Sequence, residues 1–289
     1  MQTDLFGKTR YKVNLQMHTN MSDGRKTPEE AARLYKENGY DAVAFTDHWV
    51  FGPTKEIDGV TILSGVEYNC GGSDCKNGVF HIVGLCCDRE PLANKQMGAQ
   101  ELLDTIREAG GLAILAHPAW SLNTPEAILP LKGVDALEIY NTVSGTHNSR
   151  RPDSSLIVDM LAMRDCYYPL IAADDTHYYD GTDECKSFLM VQAEDASPES
   201  LKKALRAGRF YASQGPEVHL TREGDAFVAR TSPAKSIVFL SNYAWSKRTF
   251  EGDGITEARY IPREGESYIR VLVEDAEGKQ AWSNILPIA

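Results

Sequence analysis

Val13-Asn14-Leu15-Gln16-Met17-His18-Thr19-Asn20-Met21-Ser22-Asp23-Gly24 is the stretch from which the fold can be read. Val13, Leu15 and Met17 alternate with Asn14, Gln16 and His18, the period of a strand, and Ser22-Asp23-Gly24 closes the segment as a turn. Residues two apart on a strand share a face, so Gln16 and His18 point one way and Met17 the other. Two polar groups thus aim together at a strand end, with the carboxylate of Asp23 in the loop beyond. Alone, this describes a strand with one polar face. The same ending recurs along the chain.

Working outward, Thr27-Pro28-Glu29-Glu30 opens a helix, with Thr as N-cap, Pro in the first position and acids in the first turn. Ala31, Ala32, Leu34 and Tyr35 give it an apolar side, and Asn38-Gly39 ends it. Short apolar strands are expected over 41–46, 60–63, 79–87, 112–116, 136–140, 168–173 and 187–191. Helices are expected over 101–109, 125–129, about 152–164 and 201–206. The strands end on Asp47-His48, Gly65-Val66-Glu67, His117-Pro118, Asn141 and Asp174-Asp175-Thr176-His177, and His81 lies within its strand. Short apolar strands separated by helices indicate parallel pairing with both faces covered. Polar residues at successive strand ends suggest a barrel with its chemistry on one rim. From Gly215-Pro216 onward the texture changes to alternating segments over 217–220, 226–230, 236–240, 268–273 and 281–288, which read as a small antiparallel β domain.

The composition is that of an ordinary globular protein: 289 residues, 42% hydrophobic and 25% charged. Acidic residues outnumber basic ones 41 to 30, and the net charge of -11 argues against a nucleic-acid footprint spread over the surface. Residues 1–11 carry Asp4, Lys8 and Arg10 and no apolar core, so no signal peptide is expected. No apolar run approaches the ~20 residues that span a bilayer, so the expectation is a cytoplasmic protein with no membrane partner. Cys70, Cys75, Cys86, Cys87, Cys166 and Cys185 show no zinc-finger or redox spacing and are expected to be reduced, a Cys70–Cys75 disulfide being the alternative.

Five of the seven histidines (His18, His48, His81, His117 and His177) lie in or just beyond the predicted barrel strands. Asp23, Glu67 and Asp175 occupy similar positions. Gathering these groups on one rim is costly unless cations neutralise and orient them. Histidine and carboxylate without cysteine is the donor set for zinc, manganese or iron.

Gln16-Met17-His18 with Ser22-Asp23-Gly24, Thr46-Asp47-His48, Gly65-Val66-Glu67, His81-Ile82-Val83-Gly84, Ala116-His117-Pro118 and Asp175-Thr176-His177 occur in an order that resembles the PHP (polymerase and histidinol phosphatase) family of metal-dependent phosphoesterases, over residues about 11–180. The resemblance implies an α/β fold, a distorted (β/α)7 barrel with two or three divalent metal ions at its rim. The run from Gly208 to Ser213 and the β-rich tail resemble a subgroup with a small C-terminal antiparallel β domain, dividing the chain into 1–212 and 213–289. Carried over, His18, Glu67 and Asp175 would bind one metal, Asp23, His48 and His177 a second, and Glu67, His81 and His117 a third. His177, His117 and Asp175 would carry the catalytic step. The sequence departs from the family at Gln16, where histidine is usual; as a ligand Gln16 could offer only an amide oxygen.

The expected activity is hydrolysis of a small phosphoester, a phosphorylated metabolite or nucleotide, by metal-activated hydroxide. Alternatives are a metal hydrolase of other esters or amides, and a non-catalytic metal-binding module that presents a partner through its β domain. Arg150 and Arg151 beside His147, on the polar loop 142–151, are the candidate phosphate-binding cations, with Arg25 next. Asp47 and Asp174 are candidates to accept ligand-histidine N–H groups. Tyr243, Trp245, Tyr260 and Trp282 are expected to pack or dock the β domain, with a ligand surface as the alternative.

Overall fold

Strand Thr9–Asn14 sits between Ala42–Ala44, which runs parallel to it, and Phe188–Val191, which runs antiparallel. This is a computed structural model, and it describes residues 1–72, 78–146, 149–245 and 247–288. Beyond Ala42–Ala44 the sheet continues through parallel Val60–Leu63 to the edge strand Lys55–Ile57. A second sheet of five strands runs in the order Leu170–Ala173, Ala136–Asn141, Leu112–Leu115, Val79–Leu85 and Gly65–Gly71. The expected β-then-α alternation holds in part: helix Pro28–Glu37 follows the first strand, and Ala99–Glu108, Pro125–Ile128, Ser155–Ala162 and Pro198–Arg206 follow later ones, but Ala42–Ala44 and Leu170–Ala173 lead to the next strand without one. Thr27 and Glu30 close a reciprocal capping box at the first helix start.

The two sheets do not close into a barrel of seven βα units. They meet at single parallel bridges, Met17 to Thr176 and His48 to Glu67. The departure has a local cause: Gly65–Gly71 and Val79–Leu85 pair antiparallel, so Val79–Leu85 runs against both neighbours. The opening strand also ends at Asn14, short of Gln16 and His18. Its polar alternation does not face water, since Asn14, Gln16 and His18 are as buried as Val13, Leu15 and Met17.

The core lies between the sheets, where Val13, Leu15, Leu85, Leu115, Ile139 and Leu189 pack together. A second cluster lies under helix Pro28–Glu37, with Ala31, Ala32, Tyr35, Val43 and Ile62.

The tail does not build a sheet of its own. Gln280–Trp282 pairs with Phe210–Ser213, across the boundary expected at 212, and leads on to Tyr268–Glu274, Ala226–Leu240 and their neighbours within one thirteen-stranded sheet. Ala226–Leu240 is a single strand whose register shifts between Arg230 and Ser236, where two strands were expected, and Thr249–Tyr260 is a strand not expected at all. Trp282 is fully buried and stacks on Tyr140, and Tyr260 is buried, whereas Tyr243 and Trp245 are exposed. Cys70, Cys86, Cys87, Cys166 and Cys185 are free thiols; Cys75 lies outside the described residues. Burial pushes Cys86 up to about 12. Among the described residues no helix is long and apolar enough to cross a membrane.

Candidate metal centre

Backbone bonds at the seams between the sheets assemble the site. His18 N–H donates to Thr176 O and Asp175 N–H to Gln16 O, each at 2.9 Å, so the segments after Asn14 and Ala173 lie side by side. On the other seam Trp49 N–H donates to Glu67 O at 2.9 Å, which sets His48 beside Glu67. Gly24 turns the Asp23 loop back so tightly that a Cβ there would stand 2.2 Å from His18 O. Only glycine fits. His117 and Asp175 adopt φ of +27° and +52°, conformations that non-glycine residues rarely take and that gather at functional sites.

Eight of the nine residues expected as ligands present donor atoms to one another here. His18 Nε2 lies 2.9 Å from Glu67 Oε2 and 3.0 Å from Asp175 Oδ1. Glu67 Oε1 lies 2.5 Å from His81 Nδ1 and 3.5 Å from His117 Nε2. Asp23 Oδ2 is 3.8 Å from His48 Nε2 and 3.6 Å from His177 Nε2. The ninth, Gln16, donates its Nε2–H to Glu67 Oε2 at 3.0 Å. A cavity of about 240 Å³ opens over the cluster, lined by Asp23, His48, Glu67, His81, His117, Trp120, Val143, Ser144, Asp175, His177 and Tyr178. A larger cavity of about 860 Å³ lies against helix Pro198–Arg206 and holds none of these ligands, so size does not locate the chemistry.

Ring orientations are set from behind. His177 Nδ1 lies 2.7 Å from Asp175 O, and a carbonyl can only accept, so Nδ1 carries the proton and Nε2 the lone pair. Ser121 Oγ stands 3.0 Å from His117 Nδ1, turning Nε2 towards Glu67 and Asp175. Asp183 accepts the backbone N–H groups of His177, Tyr178 and Tyr179 and holds that loop in place.

Electrostatics match a site built around cations. Burial alone would raise Glu67, yet His81, His117 and His18 hold it well below the usual carboxylate range. Burial would likewise lower His18, but Asp175, Asp23 and Glu67 push it well above an ordinary imidazole. Burial and the nearby Asp175 raise Glu138 well above the carboxylate range; its Oε2 accepts from His117 N–H and Asn141 Nδ2.

The residues fit divalent ions. His18 Nε2 and Asp175 Oδ1 are buried and close, yet neither makes a hydrogen bond, as expected of lone pairs aimed at a shared cation. His18, Asp23, His48 and His177 bring donor atoms within 4.8 Å of one another, as do His48, Glu67 and His81, and His18, Glu67 and Asp175.

Other sequence expectations fall differently. Arg150 and Arg151 are exposed and do not line the cavity, and His147 lies outside the described residues. Asp47 accepts from Thr19 and Ser22, not from a ligand histidine. Asp174 accepts from Tyr35, Thr142 and the amides of Lys186 and Ser187. Both carboxylates therefore fix loops rather than rings. Trp120, Ser144 and Tyr178 were missed as cavity walls; Trp120 stands three residues after His117 and Tyr178 directly after His177, so adjacency to a ligand was the available signal. Glu138 was missed too, though an acid inside an apolar strand was visible.

A PHP domain model matches residues 14–192, more than half of the chain. The chain belongs to the PHP domain family, whose members are metal-dependent phosphoesterases and hydrolases. It is 27% identical over 146 residues to an uncharacterised protein of Methanocaldococcus jannaschii, covering 49% of this chain and 84% of that one. Among solved structures it resembles a two-domain protein from Bacteroides vulgatus containing a predicted PHP-like metal-dependent phosphoesterase, with a TM-score of 0.56, 16% identity, and coverage of 100% of this chain and 97% of that one. It also resembles the lesion-specific endonuclease PfuEndoQ of Pyrococcus furiosus, with a TM-score of 0.46, 16% identity, and coverage of 69% and 56%.

Proposed function

We propose that the protein hydrolyses a small phosphoester, a phosphorylated metabolite or nucleotide, at a centre of two or three zinc, manganese or iron ions. The observation that carries this reading is the convergence of four histidines with Asp23, Glu67 and Asp175 on one cavity, with His18 against Glu67 and Asp175 and buried donor atoms left without hydrogen-bond partners. His18, Glu67 and Asp175 would hold one ion, Asp23, His48 and His177 another, and Glu67, His81 and His117 a third. When bound, such ions supply Lewis acidity towards a phosphoryl group and a hydroxide nucleophile at neutral pH.

The chain's own residues do the rest. His117, Asp175 and His177, each fixed from behind, keep their donor atoms turned to the reacting group. A volume of about 240 Å³ suits a phosphoryl group with part of a small leaving group, and Trp120 and Tyr178 form part of its wall. The Arg25 guanidinium lies over the Tyr178 ring, 4.8 Å from its centre, which makes it the cation best placed to meet a phosphate at the mouth. Residues 1–212 form the catalytic unit, and the strands that follow brace it through Trp282.

Phosphate release from a panel of phosphomonoesters, run beside carboxylic esters and amides with added Mn²⁺ or Zn²⁺, tests the reading. Release that stops with chelator and returns with metal is the expected result. Turnover of only the esters or amides would replace it with a different hydrolase, and no turnover of any would favour a binding module.

A further inference from the structure

We infer that Gln16 is not a metal ligand but a hydrogen-bond donor that orients Glu67, the carboxylate shared between ion sites. The inference rests on the reading of this cluster as a metal centre. Gln16 is buried, and its backbone carbonyl accepts from Asp175 N–H and from Asn14 Nδ2, so only its side chain can move. The side-chain Nε2 lies 3.0 Å from Glu67 Oε2. An ionised carboxylate accepts and cannot donate, so chemistry sets the amide with its nitrogen towards Glu67. An amide N–H has no lone pair to offer a cation.

Glu67 needs such a partner. Its Oε1 faces His81 and His117 while its Oε2 faces His18, so a turn of the carboxylate would displace both donor atoms at once. Gln16 fixes that turn from the Oε2 side. The group His18, Glu67 and Asp175 is then left with three protein donors, where a histidine at position 16 could have added a fourth. Partners that orient metal ligands typically carry a 10–100-fold share of metal affinity.

The two roles separate in a Gln16→Met variant, which keeps the length of the side chain and loses its donor. Metal-free wild type and variant are titrated with Mn²⁺ or Zn²⁺, and ions per chain are counted at saturation. With Gln16 as donor, the count stays the same, while affinity falls roughly tenfold or more for every ion that Glu67 holds. Loss of one ion per chain with the others bound as tightly as before would make Gln16 a ligand and overturn the inference. So would binding unchanged in number and strength.

A metal-soaked crystal of the wild type decides the matter even if the variant does not fold. The Gln16 amide should stay within hydrogen-bond distance of Glu67, with no ion contact. An ion about 2.0–2.2 Å from Gln16 Oε1 would overturn the inference. A wild type that takes up no metal at all would instead remove the reading of the site itself.

Discussion

Asp47 shows at the scale of single residues how much of the site lies behind the ligands. Its two oxygens accept from the amides and hydroxyls of both Thr19 and Ser22, at 2.8 to 3.2 Å, and so hold the loop that carries Asp23. Asp47→Ala strands these donors and should cost on the order of 1–3 kcal/mol, measured by denaturant unfolding. Arg25→Ala should lower kcat/KM for a phosphoester roughly tenfold with metal content intact, because it removes one charge-assisted bond. The paired change at exposed Arg150 and Arg151 should lower it less. Most of the residues that gather at the cavity were legible in the sequence because they are polar residues at or just beyond the ends of apolar strands, with His81 inside its strand, a pattern that needs no knowledge of contacts. Partners such as Asp47 were not. A carboxylate next to a histidine can turn to a ring or to a loop, and only the path of the backbone decides.

At the scale of elements, the segments that agreed with expectation had local signals strong enough to stand alone. Thr27 and Glu30 form the capping box that their spacing allows, and Thr27→Ala should cost about 1 kcal/mol of stability in thermal or denaturant unfolding. The Asp23 loop depends in the same direct way on Gly24. Gly24→Ala should reduce metal uptake, read by elemental analysis, because the added carbon collides with His18 O and moves both His18 and Asp23. Thr249–Tyr260 escaped because its Glu251-Gly252-Asp253-Gly254 run carries turn residues; what makes it a strand is pairing with Ala226–Leu240. The hairpin of Gly65–Gly71 with Val79–Leu85 escaped for a related reason: apolar strands look the same in either direction.

At the scale of the whole molecule, the C-terminal strands are tied to the rest of the chain by more than contact. Arg270 is almost fully buried and makes a two-pronged pair with Asp159 of helix Ser155–Ala162, at 2.7 and 2.6 Å. Asp159→Ala leaves that guanidinium buried and unpaired, and should destabilise the whole chain by about 3–5 kcal/mol in a single unfolding transition. Truncation after Ser213 bares the Ala212 edge and the Tyr140 face that Trp282 covers, so the shortened chain should aggregate.

The claim that unites these scales is that residues spread from His18 to His177 form one metal centre. Elemental analysis of the protein purified without chelator, beside Glu67→Ala, tests it most directly. At least two divalent ions per wild-type chain are expected, and a clear loss in the variant, because Glu67 faces both His18 and the His81–His117 pair. A wild type free of metal, or a variant with unchanged metal content, would contradict it.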